Sequence, residues 1–123
     1  MTIKKIYACW VYVSDLEVSK AFFQKLGFVL KFQQEDWVEF DLGATSFAIL
    51  KRPAEKGKVK PQKTRIMFEV DDMENLYETL KSQNVHFIGT IRYETYGKLL
   101  TFEDPDGNWF EFFEDKSNND IEK

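Results

Sequence analysis

The sequence predicts an α+β fold in which two tandem βαβββ modules form curved mixed sheets around a concave cleft. Three observations lead to this prediction. Short stretches alternate between apolar and polar residues, as the strands of a half-buried sheet do. Two other stretches carry apolar residues at helical spacing. The order of these stretches repeats once along the 123 residues, at an offset of 57 positions that takes Val13 to Val70 and Phe23 to Leu80.

The predicted strands are short runs of apolar and aromatic residues that end at turn residues, such as the acidic pair Glu35-Asp36 or Gly43. In the first module, strands are predicted over residues 5–13, 28–33, 37–42 and 46–50. In the second module, they are predicted over residues 65–70, 85–88, 99–103 and 109–113.

A helix is predicted after the first strand of each module. Ser14 and Glu17 form a capping-box pattern at the start of the first helix, and Asp71 opens the second with the same spacing to a glutamate. Gly27 is a typical residue to end the first helix, and Asn84 occupies the equivalent position in the second. The two helices therefore have matching start and stop signals.

The chain is predicted to be one domain, residues 1–123, made of two modules and a linker. Module one covers about residues 3–52 and module two about residues 64–115. The linker, residues 53–63, is rich in lysine and proline and has almost nothing to bury. The polar tail, 116–123, is expected to fray.

The bulk composition argues against several partners. The net charge of −4 is unfavourable for nucleic acid, whose phosphates need a basic surface. No apolar run approaches the ~20 residues that cross a bilayer, so no membrane association is expected. The single cysteine, Cys9, cannot form an internal disulfide, which favours a reducing compartment and a cytoplasmic protein.

The run Asp104-Pro105-Asp106-Gly107-Asn108 predicts a tight reversal of the chain. Proline fixes φ at one turn position, and glycine accepts a positive φ at another. The flanking strands should therefore pair as a hairpin.

With this turn, the sequence resembles the vicinal oxygen chelate superfamily, which includes glyoxalase I, extradiol dioxygenases and bleomycin-resistance proteins. The resemblance covers residues 3–115 and implies the paired βαβββ plan and a homodimer. The segments that carry it are residues 13–19, Phe22-Phe23, Leu26-Gly27-Phe28, residues 68–72, Tyr96-Gly97 and, most specifically, residues 103–111.

The resemblance also implies where a metal-using member would hold its ion. The four ligand positions correspond here to Ala8, Ile49, Arg65 and Glu111, with Ala48 replacing Ile49 if the register shifts by one. Alanine and isoleucine offer no donor, and arginine is a permanent cation. Because one carboxylate cannot hold a catalytic ion, we expect no metal and no cofactor.

The same resemblance suggests a ligand site on the concave face. The chain is rich in aromatic residues, with twelve Phe, five Tyr and three Trp, which suit an apolar wall. Alternation from Ala8, Arg65 and Glu111, together with the loop that often borders the ligand in relatives, gives the candidate binding residues Trp10, Tyr12, Arg65, Met67, Glu69, Tyr96, Trp109, Glu111 and Phe113. The aromatic residues are equally compatible with closing an interface between modules or subunits.

Within this set, Arg65 and Glu111 are expected to approach each other and form an ion pair in place of the metal. Tyr93 and Tyr96 are compatible with an aromatic rim in contact with either the ligand or a second subunit, and the sequence does not decide between the two.

Three functions remain compatible with the sequence. The first is a metal-free small-molecule-binding protein of the bleomycin-resistance kind, which binds an organic ligand in an aromatic cleft with Arg65 and Glu111. The second is a divalent-metal-dependent enzyme of the glyoxalase, lyase or dioxygenase type. The third is an enzyme that uses Arg65 and a carboxylate as acid–base groups without metal. We favour the first, with a small organic molecule as the partner.

Overall fold

The computed structural model describes residues 1–54, 57–58 and 60–116 and confirms the α+β fold of two βαβββ modules. The described residues form two four-stranded mixed sheets and two helices. The chain divides into two compact units, Met1–Lys60 (unit 1) and Pro61–Lys123 (unit 2). Each described helix has ten residues, about 15 Å, which is half of a ~30 Å bilayer core, so neither could span a membrane.

Unit 1 places one helix against a sheet with strand order β1-β4-β3-β2. The pair β1–β4 is parallel and the other two pairs are antiparallel. Phe23 lies at the centre of the core, with its ring 5.0 Å from that of Phe47 and 5.4 Å from that of Phe28. The elements of unit 1 are β1 (Ala8–Val13), α1 (Leu16–Lys25), β2 (Val29–Gln33), β3 (Trp37–Asp41) and β4 (Ser46–Lys51).

Unit 2 repeats the arrangement with strand order β5-β8-β7-β6. Here β5 and β8 are parallel, and the other pairs are antiparallel. Its core also depends on phenylalanines: the Phe102 ring stacks on Phe112 at 4.3 Å and on Phe110 at 5.4 Å. The elements of unit 2 are β5 (Lys63–Glu69), α2 (Met73–Ser82), β6 (His86–Glu94), β7 (Gly97–Glu103) and β8 (Trp109–Asp115).

Both helix starts lie one residue later than predicted. Asp15 caps α1 instead of Ser14, and its carboxylate accepts the amides of Glu17 and Val18 at 3.1 Å. Asp72 caps α2 instead of Asp71, although the cap has left-handed backbone, φ 49°. A carboxylate is favoured here because it satisfies unpaired amides and adds a negative charge at the positive end of the helix dipole.

Both helix ends agree with the prediction. Gly27 and Asn84 directly follow the C-cap residues, and both have positive φ, 102° and 65°. Glycine tolerates this conformation without steric cost, and asparagine tolerates it better than most other residues. The offset of 57 positions therefore also relates the conformations that stop the two helices.

The largest error concerns β6, which was predicted to end at Ile88 but continues to Glu94. The strand contains an irregularity: Ile88 pairs with Thr101 and Arg92 with Leu99, so three residues of β6 face one residue of β7. Gly89, at φ 81°, lies within this bulge. A bulge breaks the alternation of side chains on which the sequence prediction depended.

The predicted hairpin at the Pro-Asp-Gly turn is present. The Gly107 amide donates to the Asp104 carbonyl at 2.9 Å, and Glu103 pairs with Trp109 across the turn. Asn108 is fully buried, and its Oδ1 accepts the Gln62 amide, which attaches the turn to the start of β5. Of the tail predicted to fray, residues 117–123 lie outside the described residues.

Candidate functional site

Unit 2 has a groove of about 580 Å³ on the face of its sheet opposite α2. All four strands of the sheet contribute to it. We refer to it as the unit 2 groove, and its lining residues are Lys63, Thr64, Arg65, Met67, Ile88, Arg92, Thr101, Trp109 and Glu111.

Alternation along β5 and β8 explains how these side chains reach the groove. In β8, Trp109 and Glu111 are half-buried, whereas Phe110 and Phe112 between and after them are buried toward α2. The register pairs Met67 with Glu111, which places these two side chains on the same face of the sheet. The sequence therefore positions one face of each strand for packing and the other for the groove.

The bulge in β6 brings a further charge into the groove. Ile88 and Arg92 lie four residues apart and both point to the side of Thr101, and because three residues of β6 face one residue of β7, Arg92 pairs with Leu99. Without the two extra residues, Arg92 would pair with Gly97, two residues further along β7 from Thr101 than Leu99 is. Among the groove residues, Arg92 depends most on this bulge for its position.

Glu111 is bound by Arg92 and not by Arg65, so the predicted ion pair is wrong. Arg92 Nη2 donates to Glu111 Oε1 at 2.6 Å, and the Thr101 hydroxyl donates to the same oxygen at 3.0 Å. Arg92 Nη1 also donates to the Thr101 hydroxyl at 3.2 Å. The prediction failed because Arg92 lies on the part of β6 that was taken for a loop.

Trp109 supplies an aromatic surface to the groove, and several contacts fix its position. Its indole N–H donates to Glu103 Oε2 at 3.0 Å, and Lys63 Nζ lies 4.5 Å from the centre of the ring. Its backbone is held from both sides, because its amide donates to the Gln62 carbonyl and its carbonyl accepts the Thr64 hydroxyl. A side chain that is fixed in this way can present a preformed apolar surface to a ligand.

Four of the predicted binding residues meet in the groove: Arg65, Met67, Trp109 and Glu111.

Three other predicted residues of unit 2, Glu69, Tyr96 and Phe113, do not line the groove. Glu69 is exposed and borders a separate shallow cavity with Val70, Asp71 and Leu76. Tyr96 lies in the β6–β7 turn and packs its ring 6.4 Å from that of Phe113. Glu69 and Phe113 pair with each other two residues beyond Met67 and Glu111, where the groove ends on these strands.

Tyr93 contacts α2 and does not line the unit 2 groove. Its hydroxyl donates to Glu74 Oε2 at 2.9 Å, and Lys98 Nζ lies 2.9 Å from the same oxygen. The hydrogen bond from Lys98 holds the pKa of Glu74 below its usual value, and the hydrogen bond to Glu74 raises the pKa of Tyr93. These groups join the helix to the β6–β7 hairpin.

Trp10 and Tyr12, the remaining predicted binding residues, lie on β1 of unit 1. Their rings meet edge to face at 5.0 Å, and Arg52 covers the Tyr12 ring at 5.1 Å. Their participation in a ligand site remains a prediction.

The same face of unit 1 contains a carboxylate that the sequence analysis missed. Glu39 is 3% exposed, accepts the Trp37 indole N–H at 2.9 Å and has Lys31 Nζ at 3.6 Å. Burial acts to raise the pKa of Glu39, but hydrogen bonds from Trp37 and Ser46 and the charge of Lys31 outweigh it and lower that pKa. Glu39 is therefore a buried carboxylate that Trp37 holds through Oε1 and that the Lys31 ammonium faces, while its Oε2 atom accepts no hydrogen bond from the described residues.

The residues at the four expected ligand positions do not fit a divalent ion. In the register of β1 and β4, Ala48 shares a face with Trp10, whereas Ile49 is buried on the opposite face, so Ala48 is the third position. Like Ala8, it offers no donor atom. Glu111 is the one carboxylate, and Arg92 already binds it. Among the described residues, no three His, Cys, Asp or Glu side chains form a group that could hold a metal.

Sequence reasoning missed five groove residues: Lys63, Thr64, Ile88, Arg92 and Thr101. Thr101 was predictable from the hairpin, which pairs Glu103 with Trp109. Two residues further from the turn on each strand, the same pairing places Thr101 opposite Glu111. Lys63 and Thr64 were missed because β5 was predicted to start two residues too late. Arg92 had no comparable signal, since the bulge that positions it does not follow from alternation.

Comparisons with known proteins agree with this architecture. The family model described as the Glyoxalase/Bleomycin resistance protein/Dioxygenase superfamily matches residues 5–112. The chain is 33% identical to the Uncharacterized protein YetH of Bacillus subtilis (strain 168), with 88% of this chain and 96% of that protein covered. It is 30% identical to the Metallothiol transferase FosB of Lysinibacillus sphaericus (strain C3-41), with 91% and 83% covered. The crystal structure of TnmS3, an antibiotic binding protein from Streptomyces sp. CB03234, superposes with a TM-score of 0.79 at 24% identity, with 94% of this chain and 99% of that chain covered.

Proposed function

This chain belongs to the Glyoxalase/Bleomycin resistance protein/Dioxygenase superfamily, and we propose that it is a metal-free protein that binds a small organic molecule in the unit 2 groove. The observation that carries the proposal is the state of Glu111. Its Oε1 atom receives hydrogen bonds from Arg92 and Thr101, so the one carboxylate at the expected metal positions is already neutralised by a protein cation.

The groove has the size and chemistry of a ligand site. Its volume of about 580 Å³ falls within the ~300–1,000 Å³ of typical small-molecule pockets. Met67, Ile88 and Trp109 supply apolar surface, and Arg65 and Glu111 supply polar groups that can orient a ligand. Members of the fold include a protein described as antibiotic binding, so the architecture is compatible with a binding role.

The second candidate is a divalent-metal-dependent enzyme, which the 30% identity to a metallothiol transferase favours. In this chain, however, Ala8, Ala48 and Arg65 would leave a bound ion with one protein ligand. Metal analysis of the purified protein separates the two functions. We expect no stoichiometric Zn²⁺, Ni²⁺, Mn²⁺ or Fe²⁺ and no change in melting temperature on adding a chelator. A tightly bound ion that Glu111→Gln releases would instead support the enzyme.

A thermal-shift screen of small aromatic compounds tests the binding function, with a variant that fills the groove. Met67 is half-exposed, so Met67→Trp should block the groove without disturbing the core. Val18→Trp, at a similarly exposed position on α1, introduces the same side chain elsewhere. Compounds that stabilise wild type and Val18→Trp but not Met67→Trp would support the proposal. Hits that stabilise Met67→Trp equally would contradict a ligand site in this groove.

A further inference from the structure

The unit 2 groove is positively charged although the whole chain is acidic. Its lining contains three cationic side chains, Lys63, Arg65 and Arg92, and a single carboxylate, Glu111. The net charge of the chain is −4, so this excess of two positive charges is a local feature and not a consequence of general basicity. A positively charged concave surface attracts anions and accelerates their binding.

The three cations are not equivalent. Arg92 is used by Glu111 and Thr101. Lys63 lies over the Trp109 ring, an interaction that leaves its ammonium charge uncompensated. Arg65 forms no hydrogen bond or ion pair with any described residue, and it is exposed on the groove face of β5.

An unpaired guanidinium in a groove has a defined chemical preference. Its planar array of N–H donors matches the paired oxygens of a carboxylate, phosphate, phosphonate or sulfonate. Met67 lies two residues further along the same face of β5, and the Trp109 surface is fixed by Glu103. The groove therefore offers one site for an oxyanion and, beside it, an apolar wall.

From this arrangement we propose that the ligand is an organic anion whose oxyanion group is bound by Arg65 and whose apolar body packs against Met67 and Trp109. This inference rests on the proposed binding function and specifies its ligand class. Lys63 adds electrostatic attraction at the same end of the groove, and Arg92 acts through Glu111 by preventing that carboxylate from repelling the ligand.

Three probes of nearly equal shape test the charge preference: naphthalene-2-carboxylate, naphthalene-2-methanol and 2-(aminomethyl)naphthalene. Their affinities for the full chain are measured by NMR titration at low and at moderate salt. We expect the carboxylate to bind roughly tenfold or more tightly than the alcohol, since hydrogen bonds to charged groups are the stronger ones. The amine should bind most weakly. Added salt should lower the affinity for the carboxylate but not the affinity for the alcohol or the amine.

Variants locate the effect at one residue. Arg65→Gln should remove most of the carboxylate's advantage over the alcohol, while Arg65→Lys should retain part of it. Lys5→Gln removes one positive charge at an exposed position in unit 1 and should have no effect. Met67→Trp should weaken the carboxylate and the alcohol together.

The outcomes distinguish the two proposals. If the alcohol or the amine binds as well as the carboxylate, and Met67→Trp weakens them, the anion preference is wrong and the binding function stands. The same holds if Arg65→Gln leaves the carboxylate unaffected. If none of the three probes binds at millimolar concentration, the binding function is overturned and the anion preference with it.

Discussion

At Glu111, two donors from different strands converge on one carboxylate oxygen. Arg92 approaches from β6 and Thr101 from β7, while Arg65, on the neighbouring strand β5, takes no part. A carboxylate in this position can bind a metal, a ligand or a protein cation, and the neighbouring side chains determine which of these it binds. In this chain the nearest cation is a protein side chain at 2.6 Å.

The two arginines of the groove should therefore respond differently to removal. Arg92→Ala should lower the free energy of unfolding by about 1 kcal/mol, because the ion pair is partly exposed and leaves Glu111 with one donor. Arg65→Ala, the matched control, should stay within about 0.5 kcal/mol of wild type because Arg65 has no partner among the described residues. Urea denaturation of both variants measures the difference. A larger loss for Arg65→Ala would restore the ion pair predicted from the sequence.

Asp104, in the turn before β8, should give the stability a characteristic dependence on pH. Burial raises the pKa of Asp104 from its usual 3.8 to about 6, although Asn108 and Asp106 donate hydrogen bonds to the carboxylate. Between these two values the folded protein binds more protons than the unfolded chain, so this contribution to stability is complete below pH 3.8 and is lost as pH rises through 6. The full effect is about 3 kcal/mol.

The measurement compares wild type with Asp104→Asn, which cannot titrate. Urea denaturation at pH 5 and pH 7.5 should show that wild type gains stability at pH 5 relative to the variant. The absolute stability of the variant is not the criterion, because its amide also rearranges the contact with Asn108. An equal change in both proteins between the two pH values would show that the Asp104 pKa is not raised.

At the scale of the element, α2 is attached to its sheet through a buried carboxylate of β8. Glu114 has 3% of its side chain exposed; its Oε1 accepts the Met73 amide at 2.7 Å, and its Oε2 lies 3.7 Å from Lys98 Nζ. The helix cap, Asp72, holds Asn75 with a long hydrogen bond of 3.4 Å. The first turn of α2 therefore depends on a group outside the helix for one of its unpaired amides.

Glu114→Ala should destabilise the protein by ~2 kcal/mol, because it leaves a buried amide without an acceptor. Glu114→Gln keeps an acceptor and should lose less. Glu78→Ala, on the exposed side of the same helix, removes an ion pair with Lys81 and should change stability by less than about 0.5 kcal/mol. Chemical denaturation compares the three. Equal effects of Glu114→Ala and Glu78→Ala would show that the contact with β8 does not hold the helix.

The elements also show which features a sequence can predict. The stops at Gly27 and Asn84 and the hairpin turn at Gly107 were predictable because each depends on a local backbone conformation with positive φ. The extent of β6 was not, because its bulge is stabilised by pairing with β7 and has no local periodicity. The groove residues were accordingly predicted on β8, whose alternation is regular. On β5, which has its own irregularity between Lys63 and Met67, they were predicted only in part, and on β6 they were missed.

At the scale of the whole molecule, the two units share a fold but differ at their pseudo-equivalent polar positions. In unit 2, Glu111 on β8 is bound by Arg92 from the edge strand. In unit 1 the equivalent β4 position is Ala48, and the carboxylate is Glu39 on β3, compensated by Lys31 from the edge strand. On this face, each sheet thus pairs a carboxylate with a cation from a bulged edge strand, at different registers. The repeat preserves the backbone, while the charged side chains have diverged.

The exposed edge of the unit 1 sheet argues that the protein forms a homodimer. β2 is the last strand in the sheet order, and all five of its residues are exposed, including Val29 at 65% and Phe32 at 46%. An apolar edge strand presents unpaired backbone groups that can pair with a second chain, and Lys31 with its bulge protects the edge only in part.

Light scattering at micromolar concentration should therefore report about twice the chain mass of 14.6 kDa. Phe32→Lys should shift the protein toward the monomer, because it places a second cation beside Lys31 on the same edge and removes apolar surface from the interface. Val18→Lys introduces the same charge at an exposed position of α1 and should leave the mass at that of the dimer. A wild-type mass of 14.6 kDa would exclude the homodimer, and a dimer that both variants retain would show that β2 is not the edge through which the two chains associate.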